Sequence, residues 1–91
     1  MEKRSGIIEI RNLLTDRCLC LASEDTFSDC ASIRFSLDLG TYPLASLQED
    51  YTNTGLEVFE IREAEYLPRA SEEELQAALE KHLKSCGLLY E

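Results

Sequence analysis

The sequence predicts an α+β domain: a small three-stranded antiparallel sheet flanked by three helices, in the order β-β-α-α-β-α. Three observations carry this. Two apolar runs near the N-terminus are separated by a polar turn, which reads as a hairpin. Two helical periodicities end at Gly40 and Gly55, and a capped amphipathic stretch follows Pro68.

After a short unstructured tail, Gly6-Ile7-Ile8-Glu9-Ile10-Arg11 is β-branched and partly alternating, and forms the first strand. Asn12 to Arg17 supplies the Asn, Thr and Asp of a hairpin loop. Cys18-Leu19-Cys20-Leu21-Ala22 is unbroken in its apolarity, as in a strand covered on both faces. Ser23, Thr26 and Ser28 are N-cap candidates for a helix running to Leu39, with Cys30, Ile33 and Leu37 on its buried stripe. Pro43 opens a second helix, with Leu44, Leu47 and Tyr51 inward. Val58 to Tyr66 returns to strand, where simple alternation puts Phe59, Ile61, Glu63 and Glu65 on one face. Ser71-Glu72-Glu73-Glu74 fits a capping box for the last helix, 71–86, whose stripe is Leu75, Ala78, Leu79 and Leu83, with Gly87 as its stop. Residues 1–91 read as a single domain with no repeat and no linker.

The charge balance narrows the partners. Nine basic against 18 acidic residues leave a formal −9, which disfavours nucleic acid and anionic membranes as generic partners. No apolar run approaches the roughly 18–20 residues of a membrane span. The N-terminus offers only Ile7-Ile8, too short for a signal-peptide core, so a cytoplasmic location is expected. In that compartment Cys18, Cys20, Cys30 and Cys86 read first as buried thiols. A zinc site from these cysteines with His82 lacks the usual C-x₂₋₄-C knuckle, and a disulfide, allowed by the even count, lacks a signal sequence.

Gly6-Ile7-Ile8, Leu19-Cys20-Leu21, the segment from Leu37 to Tyr42 and Leu47-Gln48-Glu49-Asp50-Tyr51, in this order, together resemble the GIY-YIG nuclease domain. Gly6-Ile7-Ile8 stands for its first motif and Leu19-Cys20-Leu21 for its second. Leu37-Asp38-Leu39-Gly40-Thr41-Tyr42 resembles its Leu-x-x-Gly-x-His segment. Leu47-Gln48-Glu49-Asp50-Tyr51, with Gly55 and Phe59-Glu60-Ile61, resembles its Leu-Gln-x-Asp-Trp…Gly…Phe-x-Phe run. The resemblance spans about residues 6–66 and implies the fold just derived. It also implies where catalytic groups would stand. The two tyrosines fall at Ile8 and Leu19, the motif glycine at Leu21, an arginine at Asp29, a histidine at Ile33, and the metal-binding glutamate at Glu65.

Hydrolysis of a phosphodiester in this family is understood to use a carboxylate-held divalent metal, a tyrosine-linked water and an arginine on the developing charge. Isoleucine and leucine neither transfer protons nor hydrogen-bond. Asp29 sets a negative charge where phosphate would approach, and Arg34 lies roughly 140° around a regular helix from it. Losing one charge-stabilising donor costs on the order of 10²–10³ in rate, and three parts are replaced here.

The expected function is therefore a non-catalytic GIY-YIG-like domain acting through a protein partner or self-association, without a cofactor. Ile8, Leu19 and Leu21 would form the interaction surface if the former cleft is open, and core if Leu88-Leu89-Tyr90 folds over it. The alternative is a divergent Mg²⁺-dependent endonuclease with Glu65 as metal ligand. Glu63 beside Glu65 on one face would then offer a weak oxygen site. A third reading is an acidic decoy that occupies a basic protein in place of nucleic acid, distinguished by steep salt dependence.

Overall fold

The structure is a computed structural model that describes residues 4–86 and 88–90. The N-terminal tail through residue 3 and the stop expected at Gly87 lie outside the described residues.

Strand β1 (Gly6–Asn12) pairs antiparallel with β2 (Arg17–Ser23), setting Ile8 opposite Leu21 and Ile10 opposite Leu19. Strand side chains alternate, so these four share one face while Ile7, Glu9, Cys18 and Cys20 share the other. Asn12 closes the turn: its Oδ1 accepts from the backbone N–H of Leu14 and of Thr15. Strand β3 (Phe59–Tyr66) pairs antiparallel with the far edge of β1.

Helices cover both faces. On the Ile8 face lie α1 (Thr26–Leu39) and α2 (Ala45–Thr54), whose Leu37, Leu47 and Tyr51 close a core with Ile8, Ile10, Phe59 and Tyr90. On the Cys20 face lies α3 (Glu72–Ser85), started by the expected Ser71–Glu74 capping box and burying Leu75. Covering on both sides accounts for the unbroken apolar run of β2. Gly40 ends α1 at φ 76°, a left-handed conformation that glycine adopts without a Cβ penalty.

Several details depart from the sequence expectation. The N-cap of α1 is Asp25, whose carboxylate accepts from the Ser28 N–H. Helix α2 begins at Ala45 rather than at Pro43 and has no side-chain cap. Gln48 accepts from the Tyr42 N–H and donates to the Leu37 carbonyl, both at 3.0 Å, which ties α2 to the end of α1. A fourth, two-residue strand β4 (Leu88–Leu89) pairs parallel with β2 at Arg17 and Cys18, giving the order β3-β1-β2-β4.

Two departures bear directly on function. The register of β1 with β3 slips between Ile8, opposite Glu63, and Ile7, opposite Glu65. This bulge at Ala64 interrupts the alternation, so Glu63 and Glu65 do not share a face as expected. The cysteines are not four separate thiols either. Cys18 and Cys86 form a disulfide, Cys20 lies beside it, and Cys30 stands apart on α1.

Candidate functional site

Between α1 and β3 a cavity of about 540 Å³ opens to solvent, lined by Arg4, Thr26, Cys30, Arg34, Ile61 and Glu63. Phe27 and Phe35, two turns apart on α1, flank it and remain exposed at 83% and 65%. The walls follow from the local fold. Thr26 is the buried first residue of α1, and regular alternation along β3 through Phe59 and Ile61 brings Glu63 to the same face of the sheet.

The Glu63 carboxylate is held from two sides. Arg4 donates from Nε to Oε2 at 2.8 Å and from Nη2 to Oε1 at 2.9 Å, and the Thr26 hydroxyl also donates to it. Arg4 in turn stacks its guanidinium 4.0 Å from the centre of the Tyr66 ring. The Arg4 hydrogen bonds hold the Glu63 carboxyl below the usual carboxylate range, with Thr26 adding to them against the opposing effect of burial. Burial pushes the Cys30 thiol up, and the Glu63 and Asp29 charges push it further. Glu63 thus stays ionised and Cys30 stays protonated. Neither is poised to move a proton at neutral pH. What this arrangement offers is apolar and aromatic contact, with Arg34 free of any salt bridge among the described residues.

The positions that match the family motif are not brought together around this cavity. Ile8 is 1% exposed and shares a core cluster with Leu37 of α1 and Tyr90, so of the two alternatives for this position it is core and offers no interaction surface. Leu19 and Leu21 are half-buried against the same core. Asp29 sits exposed in the first turn of α1 and accepts a 2.5 Å hydrogen bond from the buried Ser23 hydroxyl. Glu65 points to the opposite side of the sheet, where its Oε1 meets His82 Nε2 of α3 at 2.8 Å.

A divalent metal does not fit this donor set. Mg²⁺ requires several oxygens in near-octahedral order, usually including carboxylates. Here Glu63 and Glu65 lie on opposite faces, each already engaged by a basic side chain. Among the described residues, the one group of three or more potential ligands is formed by cysteines.

Reasoning from the sequence missed Arg4, assigned to the tail, and the partnership of Glu63 with Thr26. It also passed over the aromatic pair, for which a signal existed: Phe27 and Phe35 fall off the Cys30-Ile33-Leu37 stripe.

No family model matches the sequence, and no curated protein matches it. Among solved structures, the catalytic domain of the homing endonuclease I-TevI is similar with a TM-score of 0.76 and 24% identity, covering 94% of this chain and 95% of that one. A glutamate-to-alanine mutant of the catalytic domain of intron endonuclease I-TevI gives 0.75 and 24%, covering 97% and 92%. Identity this low speaks to the fold, and the chain has a GIY-YIG-like α+β fold.

Proposed function

We propose that this chain is a GIY-YIG-like domain without phosphodiester hydrolysis, acting through its surface on a protein partner or on a second copy of itself. One observation carries the reading. At the motif positions for the two tyrosines and the arginine stand Ile8, Leu19 and Asp29, and the carboxylates of Glu63 and Glu65 are tied down on opposite faces of the sheet. Nothing there activates water, and nothing gathers oxygens around a metal. The exposed aromatic side chains beside the α1–β3 cavity give the domain a surface suited to apolar side chains of a partner.

A second reading, a divergent Mg²⁺-dependent endonuclease, is favoured by one feature. Arg4, Arg34 and Glu63 share the cavity, and guanidinium groups beside a carboxylate are the residue types that grip phosphate and a cation.

Titration of the chain with Mg²⁺ and Mn²⁺, followed by NMR at the Glu63 and Glu65 carboxyl groups, separates the two. The first reading predicts no saturable change at either carboxyl. A saturable site abolished by Glu63→Gln or Glu65→Ala would contradict it and favour the nuclease.

A further inference from the structure

The topology brings three of the four cysteines to one place. Cys18 and Cys20 are two residues apart on β2, so both side chains point to the α3 side of the sheet. Cys86 is the C-cap of α3 and arrives over the same strand. The three Sγ atoms all lie within 4.8 Å of one another, and Cys20 Sγ is 3.7 Å from Cys86 Sγ. Cys18 and Cys20 are buried, while Cys86 is half-buried.

The geometry points to a metal site made by the thiolates of Cys18, Cys20 and Cys86 in the reduced chain, taking zinc. With Zn–S bonds of about 2.3 Å, sulfurs around one tetrahedral centre stand about 3.8 Å apart. The separation of Cys20 from Cys86 matches that spacing, and Cys18 Sγ, bonded to Cys86 here, moves to it once a reductant such as a phosphine has opened the disulfide to two thiols. Sulfur donors select a soft or borderline ion over Mg²⁺ or Ca²⁺. The knuckle spacing that the sequence lacks is replaced here by a strand pair and a helix cap from 66 residues further on.

Three protein ligands leave the fourth position to water or an exogenous ligand, reached past the half-buried Cys86. His82 does not fill it, because neither of its ring nitrogens lies within the 4.8 Å cluster of the three sulfurs. Binding displaces the thiol protons, one from each cysteine, and involves no electron transfer. The disulfide and the metal are alternatives, since bonding Cys18 to Cys86 removes two of the three donors. Either link ties the end of α3 to β2, just before β4 and Tyr90.

The test uses the full chain, reduced with a phosphine and then freed of it under anaerobic conditions. Native mass spectrometry should find one zinc per chain, and cobalt substitution should give sulfur-to-metal charge-transfer absorption. Cys18→Ser, Cys20→Ser and Cys86→Ser should each weaken zinc binding by more than the roughly 10–100-fold typical of losing an outer-shell partner. Cys30→Ser, away from the cluster, should bind as the unaltered chain does. A reduced chain that takes up no zinc overturns the proposal, as does equal binding by Cys20→Ser. The first readings are made on the unaltered chain, so a variant that fails to fold does not protect the proposal.

Discussion

Glu63 shows how a single carboxylate is committed to structure. Arg4 and Thr26 supply hydrogen bonds to its ionised form, and these lower its affinity for a proton in the folded chain. The stability gained is present above the ordinary value of 4.5 and is lost as pH falls through the lowered folded value. Arg4→Ala should move the Glu63 titration midpoint, followed by carboxyl carbon NMR, upward toward 4.5. An unchanged midpoint would show that Arg4 does not set it. Tyr51 shows the opposite case: burial and then the Asp38 carboxylate, 2.5 Å from its hydroxyl, push it up to about 12. It therefore keeps its proton as a packing residue, and proton transfer at neutral pH is closed to it.

At the scale of elements, most of the fold was legible and the faces of β3 were not. The helical stripes of Cys30, Ile33 and Leu37 and of Leu47 and Tyr51 face the core as their spacing requires, because helix periodicity is set by the backbone alone. The Ser71 capping box was likewise readable, being a local hydrogen-bond pattern. The position of Glu65 was not, because alternation along β3 breaks at a bulge created by pairing with a distant strand. Gly6 carries part of that pairing: a Cβ there would lie 2.1 Å from the Glu65 carbonyl oxygen, which is backbone and cannot swing aside. Gly6→Ala should therefore cost about 1–3 kcal/mol of stability in urea unfolding, and more if the bulge cannot shift. A change near zero would mean that β1 and β3 approach less closely. The cysteine cluster escaped sequence reasoning for a related reason, since Cys86 reaches Cys18 and Cys20 only through the placement of α3 across β2.

At the scale of the whole molecule, the C-terminal segment closes what a cleft at Ile8 would need open. Tyr90 is buried beside Phe59, its hydroxyl accepts from Asn12 Nδ2 at 3.0 Å and donates to Asp50 at 2.9 Å, and Arg17 lies over its ring. One side chain thus joins the hairpin turn, α2 and the end of the chain. Tyr90→Phe leaves Asn12 short of an acceptor in a buried position and should cost about 1–3 kcal/mol in urea unfolding. An unaltered midpoint would show that water or another group takes over. The chain shares its fold with the I-TevI catalytic domain over nearly the whole of both, and its −9 charge and the burial of Ile8 support the proposal that it does not hydrolyse phosphodiesters. The measurement that tests this most directly is cleavage of single-stranded and duplex DNA by the folded chain with Mg²⁺ or Mn²⁺, beside Glu63→Gln and Glu65→Ala. The account predicts no cleavage above that of the two variants. Cleavage by the unaltered chain that disappears in either variant would contradict it.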